Sequence, residues 1–108
     1  MLVDVQVEMR MLAEETKAVA GRVFFLEVHR RKQTGQTSLR WRLVPGGWRH
    51  VKWEDKALQL ALSQLALVWR DWYAEKNAMA LKLNREEREL RAAARDDFST
   101  RMTKARHG

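Results

Sequence analysis

Cysteine is absent from the 108 residues. Its absence excludes disulfides, thiolate nucleophiles, cysteine zinc fingers and iron–sulfur clusters, and it fits a reducing compartment. Proline occurs once, at Pro45, and glycine only five times, so long stretches contain nothing that would interrupt a helix. No run approaches the ~20 apolar residues that a membrane span needs. The longest apolar-rich stretch, Ala57 to Trp69, is broken by Gln59, Ser63 and Gln64. Met1-Leu2-Val3-Asp4 has neither the basic start nor the apolar run of a signal peptide. A cytoplasmic protein is the expectation.

Chemical signatures are equally sparse. There is no Gly-x-Ser-x-Gly, no phosphate-binding glycine loop and no dinucleotide fingerprint. Glu54-Asp55-Lys56 has the E-x-K spacing of some metal-dependent nucleases, but Glu27 is the only further carboxylate nearby, and helix capping accounts for the pair. Tyr73 has no local base to make it a nucleophile. His29, His50 and Glu27 share a strand face and are the one metal-site candidate, at spacings that match no standard ligand set. Exposed imidazoles are the simpler reading. The expectation is therefore a protein that is not an enzyme and needs no metal or cofactor.

What the chain does have is positive charge, unevenly placed. The net charge is +7, with 21 basic against 14 acidic side chains. Residues 21–56 hold Arg22, Arg30, Arg31, Lys32, Arg40, Arg42, Arg49, Lys52 and Lys56 against only Glu27, Glu54 and Asp55, which is +6 of the total. Residues 1–20 are acidic on balance, and residues 57–94 are nearly neutral. Such a block favours a polyanionic partner.

Periodicity assigns the elements. Over residues 2–20 two patterns compete. Val3, Val5, Val7, Met9 and Met11 alternate as in a strand, whereas Leu2, Val5, Met9, Leu12 and Val19 form a helical stripe. Ala13-Glu14-Glu15-Thr16-Lys17-Ala18 tips the balance to a helix, which Gly21 would close as its C′ residue. Residues 22–29, 37–44 and 48–53 read as three strands. The first turn is polar, and the second is Pro45-Gly46-Gly47, so the strands make an antiparallel meander. Glu54-Asp55 opens a helix striped by Leu58, Leu62, Leu65, Trp69 and Trp72 and continued by Met79 and Leu83. Asn84-Arg85-Glu86-Glu87 has the form of a capping box, which leaves two readings, a second helix starting there or one long helix running through.

The expected fold is α+β. An N-terminal helix is followed by a three-stranded antiparallel β-meander, then by a long C-terminal helix or helix pair packing on the sheet and on the first helix. Residues 1–98 form the domain and 99–108 a frayed basic tail. If the first and last helices pair antiparallel, Leu2, Met9, Leu12 and Val19 face Leu90, Leu83, Met79 and Trp72, with the meander at one end under Leu58 to Trp69. The wide apolar helix surface also suits a homodimer.

Strand alternation then sorts the charges by face. Leu39, Trp41 and Leu43 point inward, leaving Arg40 and Arg42 outward. Phe25, Glu27 and His29, with Trp48, His50 and Lys52, share that outer face. Guanidinium groups suit phosphates, and exposed aromatics stack on bases. The expected nucleic-acid-binding residues are Arg30, Arg31, Lys32, Arg40, Arg42, Trp48, Arg49, His50 and Lys52. The expected function is a non-enzymatic nucleic-acid-binding accessory or regulatory protein, with DNA favoured over RNA. The alternative is an adaptor or inhibitor that binds an acidic protein surface. In layout, with Leu39-Arg40-Trp41-Arg42 followed by an acidic helix start, the chain resembles small proteins encoded near transposases or on conjugative elements, which implies a mobile-element role.

Overall fold

The computed structural model describes residues 1–44 and 49–107, with side chains as far as Thr103. The Pro45-Gly46-Gly47 turn and Trp48 lie outside the described residues.

The first segment is helical throughout, as α1 (Leu2–Lys17). Its buried residues are Val5, Met9, Leu12, Ala13 and Thr16, the spacing of one helix face. The strand-like alternation fails at its own test: Val5 is buried while Val3 is 69% exposed. Ala18 caps the C-terminus, its N–H donating to the Glu14 carbonyl at 3.0 Å. Gly21 is therefore not the C′ residue. It sits three positions further on, at φ +67°, in the turn that leads into the sheet.

Strands β1 (Phe24–Arg30), β2 (Thr37–Leu43) and β3 (Arg49–Val51) form an antiparallel sheet in the order β1-β2-β3. Glu27 lies opposite Arg40, Leu26 opposite Trp41, and Arg42 opposite His50. β2 alternates strictly, with Thr37, Leu39, Trp41 and Leu43 buried and the residues between them half-exposed. Asp55 Oδ1 accepts from the backbone N–H groups of Ala57 and Leu58 at 2.9 and 3.2 Å, starting α2 (Lys56–Ser63) at the acidic pair. The chain breaks at Gln64-Leu65-Ala66 without glycine or proline. It then runs as α3 (Leu67–His107), which includes the segment expected as a tail as far as His107. Asn84 starts no new helix. At 1.5 Å per residue the 41 residues of α3 account for the 63 Å long axis of the molecule.

α1 lies against β1 and α3 against β2, and the two helices run antiparallel. Lys76 Nζ meets Glu15 at 2.7 Å near one end of the pair, and Leu2 lies beside Ala94 and Phe98 at the other. The meander is thus covered by α1 and α3 themselves rather than by residues 58–69. Of that segment Leu58 and Leu62 reach the core, while Leu60, Leu67, Val68 and Trp69 remain exposed. The core joins Met9, Leu12, Phe24, Leu26, Trp41, Leu58, Tyr73 and Leu83. Phe24 and Tyr73 rings meet at 4.7 Å, and Trp72 packs on Tyr73 at 4.9 Å.

A row of polar side chains on α3 fixes β2. Trp41 Nε1 donates to Asn77 Oδ1 at 2.9 Å. Leu39 N–H donates to Asn84 Oδ1 at 2.7 Å, and Asn84 Nδ2 donates back to the Leu39 carbonyl at 3.1 Å. The Thr37 N–H donates to the buried Glu87 carboxylate. Asn84 and Glu87, which resemble a capping box in sequence, instead stand in for a missing neighbour strand. The β1 edge is treated the same way, since the Leu26 N–H donates to Thr16 Oγ1 at 2.9 Å. Both devices satisfy backbone groups that would otherwise invite another chain.

Candidate nucleic-acid interface

The outer face of the sheet is set by β2, whose period places Arg40 and Arg42 opposite the core. Arg42 is engaged there. Its Nη1 donates to both oxygens of Glu27, at 2.9 and 2.8 Å, and His50 Nε2 lies 3.0 Å from Glu27 Oε1. One carboxylate thus gathers two of the expected site residues. Partial burial pushes the Glu27 carboxyl up, but hydrogen bonds from Arg42 and His50 and their charges outweigh it and hold the group below its usual value. His29 stands edge-on to His50 with ring centroids 5.7 Å apart. Desolvation first, then the positive charges of Arg40, His50 and Arg31, lower the His29 pKa against the opposing pull of Glu27. His29, His50, Arg40 and Arg31 therefore share one electrostatic neighbourhood.

The hairpin between β1 and β2 presents the second cluster. Gly35 N–H donates to the Arg31 carbonyl at 2.7 Å, and Arg31 N–H to the Gln36 carbonyl at 2.8 Å. Gly35 sits at φ +73°, a conformation that side chains other than glycine's adopt only with strain. α3 holds this turn from outside the sheet: Arg91 Nη2 donates to the Gly35 carbonyl at 3.0 Å, and Arg91 Nε to Glu87 Oε1 at 3.1 Å. Arg30, Arg31 and Lys32 are exposed on the hairpin, and they form no ion pair among the described residues, nor does Arg40.

Three expectations are corrected. Phe25 is not an exposed stacking platform. It is only 4% exposed, with the Arg22 guanidinium carbon 5.1 Å and Lys17 Nζ 5.9 Å from its ring centroid. Covering it with cations gives an apolar ring a favourable neighbour on an otherwise polar face. Arg49 does not join Arg40 and Arg42. It lies opposite Leu43, on the other side of the sheet, where it pairs with Asp55 at 3.3 Å. Arg42 is paired with Glu27 rather than standing as an open cation. Lys52 follows β3 and is exposed, and Trp48 lies outside the described residues.

Of the residues that position the hairpin, Glu87 reads in sequence as part of a capping box, and Arg91 gives no signal of its own. Their i,i+4 spacing reads as a surface helix pair, and no local signal sends them to β2. Among the described residues, no group of three or more His, Asp or Glu side chains could hold a metal ion. No described helix is long and apolar enough to cross a membrane. No protein-family model, curated protein or solved structure matches the chain.

Proposed function

We propose that the protein binds nucleic acid, DNA in the first instance, through the hairpin and outer sheet face. Arg30, Arg31, Lys32 and Arg40 are the phosphate contacts, and His29, His50 and Lys52 border them. One observation carries the reading. The only carboxylate on the outer faces of β1 and β2, Glu27, is already engaged by Arg42 and His50, so the remaining cations have no counter-ion among the described residues. Unpaired guanidinium groups held on a rigid hairpin suit phosphate oxygens. Glu87 and Arg91 supply the rigidity by tying the turn to α3.

Binding by four such cations displaces about four condensed counter-ions, so log affinity falls with log salt at a slope of about −3 to −4. Labelled single-stranded and duplex DNA, titrated at two ionic strengths against the protein and its Arg31→Glu and Arg40→Glu variants, test this. Steep salt dependence and loss in both variants are expected. No binding at low salt sinks the reading, and it is the result expected of a protein that docks only on an acidic protein surface.

A further inference from the structure

β3 is short, and its shortness leaves a groove. It pairs with Trp41–Leu43 only, so Leu39 and Arg40 have no described strand beside them on that edge. After Val51 the chain turns away, with the Asp55 N–H donating to the Lys52 carbonyl at 3.0 Å. α3 forms the opposite wall. The space between is about 560 Å³, within the range of pockets that take small molecules. Its apolar lining includes Trp53, Ala80 and Leu81, and Arg40, His50 and Lys52 also line it. Glu54 is the one carboxylate lining it.

The walls are fixed before any ligand arrives. Gln59 Nε2 donates to the Trp53 carbonyl at 2.7 Å. Asn84 holds both backbone groups of Leu39. Asn77 accepts from Trp41 through Oδ1, and its Nδ2 has no acceptor among the described residues at the groove wall. A preformed slot loses little entropy on filling. An apolar slot with an indole in its wall and cationic groups around it suits one flat ring joined to phosphates. In a duplex the bases are paired and stacked inside, so only a single strand offers such a ring at no cost.

We infer that the groove takes an unpaired nucleobase, so that the protein binds single-stranded DNA in preference to duplex, with the flanking phosphates on Arg40 and Lys52. The inference rests on the outer face being a nucleic-acid interface, and it adds the state of the strand. A duplex reaches only the cations of the hairpin and the outer sheet face. A single strand reaches those and the groove.

Fluorescence anisotropy with three labelled probes separates the two claims: a short oligothymidylate, its duplex with oligoadenylate, and an abasic strand of equal length. The abasic strand keeps the phosphates and lacks the bases. Oligothymidylate should bind about tenfold or more tightly than either other probe. Leu81→Glu should abolish that preference, because it places a carboxylate in the groove wall. Leu81 is 59% exposed, so the core is untouched. Ala78→Glu, exposed on the same helix and outside the groove, carries the same charge and should keep the preference. Lys52→Glu should weaken single-strand binding as a second groove variant. Equal binding of thymidylate and abasic strands, or equal behaviour of the Leu81 and Ala78 variants, overturns the groove and leaves the interface standing. If no probe binds at low salt, both fall.

Discussion

Two glutamate–arginine pairs flank β2, one under α3 and one on the outer face, and burial makes them different devices. The Glu87 side chain is 0% exposed and accepts from Arg91 and from the Thr37 backbone, while Arg91 reaches on to the hairpin carbonyls. The Glu27 side chain is 27% exposed and holds Arg42 and His50 at the surface. A carboxylate taken out of water must be fully matched by hydrogen bonds, so losing any one member is expensive. A carboxylate at the surface is screened, and its ion pair contributes little to stability. The inner pair sets the angle of the hairpin to α3. The outer pair sets how much positive charge that hairpin and sheet display.

The largest expected effect tests the inner pair. Glu87→Ala leaves the buried Thr37 N–H without its acceptor and the Arg91 guanidinium without its counter-ion, at a cost of about 3–5 kcal/mol in urea denaturation. Glu87→Gln keeps one acceptor oxygen and should cost less. A loss below about 1 kcal/mol for the alanine variant would erase the distinction between the pairs. Asn84→Ala comes next. It strips both backbone partners from Leu39 and should destabilise by about 2 kcal/mol.

The outer pair should respond with opposite signs in stability and binding. Glu27→Gln should cost about 1 kcal/mol or less and tighten DNA binding severalfold, since Arg42 and His50 lose their counter-ion. Because the Glu27 carboxyl is held below its usual value, its contribution is complete above the ordinary carboxylate pKa and disappears as pH falls through the lowered one. The acid limb of a stability–pH profile should therefore be shallower in Glu27→Gln. An unchanged limb would assign the acid sensitivity to other groups.

The smallest effects on stability belong to the hairpin. Arg31→Ala and Lys32→Ala should leave the unfolding midpoint within about 0.5 kcal/mol of the parent, while each lowers the salt slope of binding by about one. His29 sharpens the picture further. Its depressed pKa favours the neutral ring near neutrality, and a phosphate beside it favours the proton's return. DNA binding should tighten as pH falls through the histidine range, and the His29 titration followed by NMR should move upward when oligonucleotide is added. A titration that does not move would place the phosphates elsewhere.

Reading the chain from its sequence succeeded where the signal was local. Alternation across Leu39 to Leu43 separates core from surface because a strand repeats every two residues, and β2 follows it. Asp55 acts within three residues of itself, so its capping role was visible. Phe25 was misplaced because the cations that flank it come from Lys17 and Arg22, which alternation along β1 does not report. The break at Gln64-Leu65-Ala66 has no glycine or proline to announce it. Asn84-Arg85-Glu86-Glu87 carried a genuine pattern with the wrong partner: a capping box and a strand-binding pair need the same acceptors.

The concentration of cations between Gly21 and Lys56, the missing cysteine and the periods of helix and strand are properties of the chain itself, and they determined the order of elements and the basic character of the meander. Which cations stay open was settled only in three dimensions. Ion pairing and burial depend on groups distant in sequence: Glu27 claims Arg42 from 15 residues away, and Glu87 holds Thr37 from 50. The same is true of the groove, which exists because β3 stops at Val51 while α3 continues past it.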